Sequence, residues 1–238
     1  MTFTEKPPVP EDHAAAEEHH EIRTHFEDQL HAIQVGIVDM GTMVRENIRR
    51  AGEVVTEGRL DLVDAVIEAD RPINELYSEL EEQVFQVLAL QQPVAGDLRF
   101  LVVATRAVYE VERSGDLAVN IAKSVQRIDG VPADAVLIST LEQLIDAAAT
   151  MFSRGVEAVA SMDESIGLMA EEEDEATDEL TSELFKAVTA RQEELGLETS
   201  VALFYIGRFL ERIGDHGVNL AENVTFAVSG EFPNSDES

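Results

Sequence analysis

Two short phrases carry most of the chemistry open to this 238-residue chain. Glu112-Arg-Ser-Gly-Asp116-Leu-Ala-Val-Asn120-Ile-Ala122 recurs ninety-nine residues later as Glu211-Arg-Ile-Gly-Asp215-His-Gly-Val-Asn219-Leu-Ala221, with seven of the eleven positions identical. On a helix, Glu-x-x-x-Asp sets two carboxylates on one face, and Asn follows one turn later. Such a stripe suits a hard cation with oxygen ligands, or simply a solvated surface. The sequence holds no Gly-rich phosphate cradle, no G-x-S-x-G elbow and no nucleophile beside a base, so catalysis has no support in it.

A second pair of acidic phrases precedes the first. Asp70-Arg-Pro-Ile-Asn74-Glu-Leu-Tyr-Ser-Glu-Leu80 falls, 104 residues on, against Asp174-Glu-Ala-Thr-Asp178-Glu-Leu-Thr-Ser-Glu-Leu184. Apolar periodicity is helical from about residue 23 onward, with breaks at 57–59, 91–97, 129–134, 162–165 and 194–199. Six helices are expected, over 23–56, 59–90, 95–128, 134–161, 164–194 and 198–229, joined by turns short enough to make neighbours antiparallel. The fold class is therefore all-α: two tandem three-helix antiparallel bundles related by a pseudo-twofold repeat. Boundaries fall at 1–22 for an acidic, proline-containing tail expected to be disordered, 23–129 and 130–230 for the repeats, and 231–238 for a closing tail. At about 1.5 Å per residue, 30-residue helices are about 45 Å long.

Register decides whether the acidic phrases can meet. Counted from the turns, Asp70 lies level with Glu112 and Asp116, and Asp174 and Asp178 lie level with Glu211 and Asp215. On the last helix, Leu203, Ile206, Leu210, Ile213, Gly217, Leu220 and Val224 form the core seam, while Glu211, Asp215, Asn219 and Glu222 gather away from it. A solvated acidic face accounts for such a stripe. Against it stands the repulsion of like charges at i,i+4 on two adjacent helices, which requires either a cation or the neighbouring Arg113 and Arg212. Gly115 and Gly214 cost helix propensity, which points to a close helix contact or ligand approach. By charge count the second set is the stronger metal site, because Asn74 replaces an acid and Lys123 stands where Glu222 does in the first.

Composition narrows the partners. Asp and Glu number 48 against 17 Lys and Arg, a formal charge of -31, which repels nucleic acid and anionic lipid. The absence of cysteine removes disulfides and thiolate metal sites. Residues 1–21 contain no apolar run for a signal peptide or a membrane span, so a cytoplasmic location is expected. Glu17 and His20 in that stretch have di-iron spacing but no second such pair, and a solvated leader is the better reading. His216 reads as a packing residue at the seam edge, His25 and His31 as surface residues, and 171–175 as a solvated acidic run rather than a calcium loop.

The doubled E-R-x-G-D-x-x-x-N-[IL]-A phrase, each copy closing a three-helix repeat, resembles the PhoU family of phosphate-signalling regulators over about residues 23–230. The resemblance implies a six-helix, two-repeat protein that binds multinuclear iron or other divalent or trivalent ions, manganese, zinc or magnesium among them, through Glu/Asp-x-x-x-Asp motifs. It implies negative regulation of the phosphate-starvation response, linking the ATPase of a phosphate ABC transporter to a sensor histidine kinase, by a homodimer held at the inner membrane only through partners. The metal candidates carried over are Glu112, Asp116, Glu211 and Asp215, with Asp70, Asp174 and Asp178 facing them. Two other readings stay open: a di-metal carboxylate oxidase on a helical bundle, and a metal-free helical scaffold.

Overall fold

The computed structural model describes the backbone of residues 13–231 and the side chains of 23–166 and 177–231. Six helices follow one another: α1 (His13–Thr56), α2 (Val63–Gln91), α3 (Ala95–Arg127), α4 (Ala135–Ser161), α5 (Ser165–Ala190) and α6 (Gln192–Ser229). A single turn of 3-10 helix, Leu60–Leu62, leads into α2.

Each helix turns an apolar stripe inward. Ile33, Ile37, Met40, Val44 and Ile48 recur at three- and four-residue spacing on α1 and are buried, as are Leu137, Leu141, Leu144, Ala148 and Met151 on α4. The anticipated α6 seam is buried throughout, from Leu203 to Val224. Burying one such side chain contributes about 1.5–3 kcal/mol. Among the described residues α4 alone is long and apolar enough to cross a membrane, and its apolar face is taken up by this core.

Four boundaries differ from the sequence expectation by four residues or more, one of them the start of α2, at Val63 rather than 59, where the 3-10 turn intervenes. The first helix starts at His13 rather than Arg23, so the second half of the expected disordered tail is helical in its backbone. Ala14–Ala16 and Glu17–Glu18 are strong helix formers and the last proline before them is Pro10. Glu17 and His20 lie outside the described side chains. Near the last turn, α5 ends at Ala190 rather than about 194, and α6 runs from Gln192 through a break at Gly196, whose φ of 75° and ψ of 167° only glycine adopts readily.

Contacts arrange the six helices as two triangles, α1–α2–α3 and α4–α5–α6, joined by α1 against α4 and α3 against α6. Both joining pairs are antiparallel. Gln34 Nε2 donates to the Val159 carbonyl at 2.8 Å, and Gly41 and Gly52 of α1 face Val156 and Ile145 of α4. Shifted by the 104-residue offset of the acidic phrases, Gly41 becomes 145 and Gly52 becomes 156, so the two contacts exchange, as a pseudo-twofold through the α1–α4 crossing requires. Helices α4 and α6 approach more closely still: a β-carbon on Gly217 would come to 2.5 Å from the Met151 backbone.

Candidate metal sites

The carboxylates of the first repeat come from α2 and α3, which the core forces into an antiparallel pair. A β-carbon on Gly115 would sit 3.1 Å from Asp70 Oδ1 and 3.6 Å from Ile73 Cγ2, so the glycine admits the Asp70 carboxylate between the helices. Asp70 is thus level with Asp116, as register requires. Asp70 Oδ2 accepts a 2.8 Å bond from Asn74 Nδ2, whereas Asp70 Oδ1 is buried with no partner. Asp116 accepts from Arg113 Nη1 at 2.7 Å.

Electrostatics mark this cluster as short of positive charge. Burial pushes the Asp70 carboxyl above its ordinary pKa; the Asn74 bond opposes that, Asp116 adds to it and Lys123 opposes it. Glu112 is also raised, first by burial and then by Asp116, with Arg113 opposing and Asp70 adding. The three acids therefore feel one another. Residues 112 and 116 are half-buried, so the stripe is not a fully solvated face. A depression of about 620 Å³ along α2 is lined by Asp70, Asn74, Glu75 and Ser78.

Among the described residues no three His, Asp or Glu side chains converge tightly enough, as they stand, to hold an ion. The donors nonetheless fit a hard cation: Asp70, Glu112, Asp116 and the Asn74 amide oxygen are all oxygen ligands, and a buried carboxylate oxygen without a partner needs a proton or a cation.

The second repeat repeats the frame with different fittings. The nearest side-chain atom to a β-carbon on Gly214 is Thr177 Cγ2, at 3.5 Å, and Thr177 is the counterpart of Ile73, so α5 and α6 meet in the register of α2 and α3. Glu211, with 13% of its side chain exposed, accepts two 2.6 Å bonds from Arg208 Nη1. Arg208 reaches Glu211 because i,i+3 spacing brings it alongside. Asp215, Asn219 and Glu222 are half-buried and Asp178 is exposed. Asp174 lies outside the described side chains, as do 171–175. Among the described residues, Thr177 Oγ1 and Thr181 Oγ1 are buried without a hydrogen-bond partner.

Sequence reasoning missed one polar contact near the stripes. His216 is buried, as expected, but its Nδ1 pairs with Glu110 Oε2 across the α3–α6 seam, and its Nε2 is buried without a partner. The signal lay in the repeat itself: Glu110 and His216 correspond to Phe209 and Leu117, so a polar pair replaces an apolar one at only one of two equivalent positions. His25 and His31 are exposed.

Two three-helix repeats, each pairing its second and third helices along a carboxylate-bearing groove, define a class of tandem helical-bundle proteins. A model of the PhoU domain matches residues 37–125 and again 141–224, and the chain belongs to the PhoU family. It is 32% identical over 216 residues to the phosphate-specific transport system accessory protein PhoU homolog 1 of Mycobacterium leprae, covering 90% of this chain and 97% of that one. It is 26% identical to the PhoU homolog of Synechocystis, covering 87% and 93%. The crystal structure of PhoU from Pseudomonas aeruginosa shares the fold with a TM-score of 0.81 at 24% identity, over 87% of this chain and 100% of that one.

Proposed function

We propose that this protein is a negative regulator of phosphate uptake and phosphate-starvation signalling, acting by contact with the ATPase of a phosphate ABC transporter and with a sensor histidine kinase. The observation that carries this reading is the near full-length match to relatives named as accessory proteins of a phosphate-specific transport system. The grooves offer carboxylates and arginines suited to binding, Arg113 on Asp116 and Arg208 on Glu211. A cytoplasmic homodimer is the form proposed, and any membrane association runs through a partner, since a charge of -31 opposes anionic lipid.

Asp70, Glu112 and Asp116 in one repeat, and Asp174, Asp178, Glu211 and Asp215 in the other, would hold iron, manganese, zinc or magnesium. The bound cation supplies positive charge between helices that otherwise repel. Arg113 and Arg208 hold Asp116 and Glu211 in place, and Gly115 keeps α2 and α3 close enough for Asp70 to reach the groove. A metal-free scaffold is the second reading, favoured because among the described residues no three acids or histidines are already gathered around one ion position.

Deleting the gene tests the regulatory role. Phosphate-uptake functions should become active in phosphate-rich medium, and Glu211→Gln with Asp215→Asn should weaken repression without lowering the melting temperature. A deletion strain with an unaltered phosphate response contradicts the proposal.

A further inference from the structure

The α1–α4 crossing holds a cleft of about 480 Å³, set between the two glycine contacts that pin the helices together. Arg45 and Arg49 of α1 and Arg154 of α4 line it, so three of its nine lining residues are arginines in a chain where only 17 of 238 residues are Lys or Arg. The room comes from a departure from repeat symmetry. At the 104-residue offset, Ala149 and Ser153 stand on α4 where Arg45 and Arg49 stand on α1, and these short side chains leave open the space beside the arginines.

Arg45 has no acid at helical spacing: Gly41, Thr42, Ile48 and Arg49 occupy its neighbouring positions, and among the described residues it pairs with no carboxylate. Arg49, one turn on, is a like charge. Glu46 grips Arg49 through bonds of 2.9 and 2.7 Å and Glu53 also pairs with it, but these are exposed contacts that exchange readily with solvent or a ligand. Beyond a Debye length of about 8 Å the net charge of the rest of the molecule is screened at physiological salt, so the local guanidinium groups govern an incoming anion.

Glu46 and Glu157 also line the cleft, and they indicate what kind of anion it takes. A carboxylate ligand would merely replace one carboxylate by another at Arg49. A phosphoryl group brings up to two charges and three acceptor oxygens, enough to engage guanidinium forks from two helices at once. Thr150, exposed at the same cleft, offers a hydroxyl beside them. We propose that the α1–α4 cleft binds a phosphoryl group, borne either by a small phosphate compound or by a phosphorylated side chain of a partner protein. This site is separate from the carboxylate grooves between α2 and α3 and between α5 and α6.

Calorimetric titration of the full chain at physiological salt tests it, with inorganic phosphate, pyrophosphate and a phosphoserine tripeptide as separate probes and the unphosphorylated tripeptide as control. At least one phosphorylated probe should bind saturably. Arg45→Gln with Arg154→Gln should weaken that binding at least tenfold, Arg45→Lys should weaken it less, and Arg59→Gln, outside the cleft, should change it less than twofold. All three substituted arginines are exposed or half-buried, so the circular-dichroism melt should be unaltered. Tighter binding of phosphate or pyrophosphate assigns a small-molecule ligand, and tighter binding of the phosphopeptide assigns a modified partner. No saturable binding of any phosphorylated probe at millimolar concentration, or equal affinity in the double variant, overturns the proposal.

Discussion

Glu110 on α3 and His216 on α6 meet in a buried contact between the two repeats, at a level where the pseudo-twofold sets Leu117 and Phe209 at the equivalent position. The seam therefore carries one polar and one apolar version of the same crossing. Removing one partner leaves the other buried without its bond, which costs about 1–3 kcal/mol. His216→Leu should lower the unfolding free energy by about that amount, and adding Glu110→Leu should recover part of the loss, because two apolar groups need no partners. Denaturant melts of the two single variants and the double variant measure the coupling; additive losses would show that the pair does not interact.

Gly217 and Gly96 make opposite predictions for one chemical change. A β-carbon on Gly217 would stand 2.5 Å from the Met151 backbone carbonyl and 2.6 Å from the Phe152 nitrogen, and backbone cannot rotate aside. Gly217→Ala should cost about 1–3 kcal/mol as α4 and α6 are pushed apart. Gly96 has no neighbour within 4 Å of its would-be β-carbon, so Gly96→Ala should be neutral or stabilise by about 0.4–1 kcal/mol. Thermal melts compare them directly.

Asp134 ties the start of α4 to the α5–α6 turn. Its Oδ1 accepts from the Val136 and Leu137 amides at 2.9 and 3.0 Å, and its Oδ2 accepts from Arg191 Nε at 2.7 Å. The Leu137 amide, then Arg191, hold its carboxyl below the ordinary value. A depressed folded-state pKa means that the stabilisation is fully present above the ordinary aspartate pKa and is lost as pH falls through the depressed one. The melting-temperature advantage of the parent over Asp134→Asn should therefore hold at neutral pH and shrink below about pH 4, the ordinary aspartate range. An advantage independent of pH would assign the effect to the helix cap alone.

Charge count predicts unequal metal sites. Lys123 lies near enough to Asp70 to favour its ionised form, and it competes with a cation for the first groove, where Asn74 also replaces an acid. The second groove should fill at lower manganese concentration, and Asp178→Asn should bring the two affinities together. Site-resolved titration of metal-free protein checks this; equal affinities in the parent chain would show that ligand charge does not rank the sites.

Helix number, pairing and the core seam were legible in the sequence because apolar spacing and repeat register both depend only on the 3.6-residue period. The same arithmetic set Asp70 level with Glu112 and Asp116, and its carboxylate lies against Gly115 between them. Register could not show that Asp70 Oδ1 would be buried without a partner, since that depends on side-chain rotation at a glycine contact. Arg208 grips Glu211 at i,i+3 spacing, a pairing that the same helical period makes legible. The Glu110–His216 pair and the arginine cleft join segments 106 and 109 residues apart, Arg45 to Arg154 in the second case, and both sit where the repeats differ rather than where they agree.

Manganese content after equilibrium dialysis at physiological salt tests whether the carboxylate grooves hold hard cations. The full chain should retain manganese saturably. A variant carrying Glu112→Gln, Asp116→Asn, Glu211→Gln and Asp215→Asn should fall to background, whereas one carrying Glu82→Gln, Glu193→Gln, Glu194→Gln and Glu198→Gln, four exposed acids away from the grooves, should match the parent. No saturable manganese in the parent chain, or equal retention by the two variants, would show that the grooves are not cation sites.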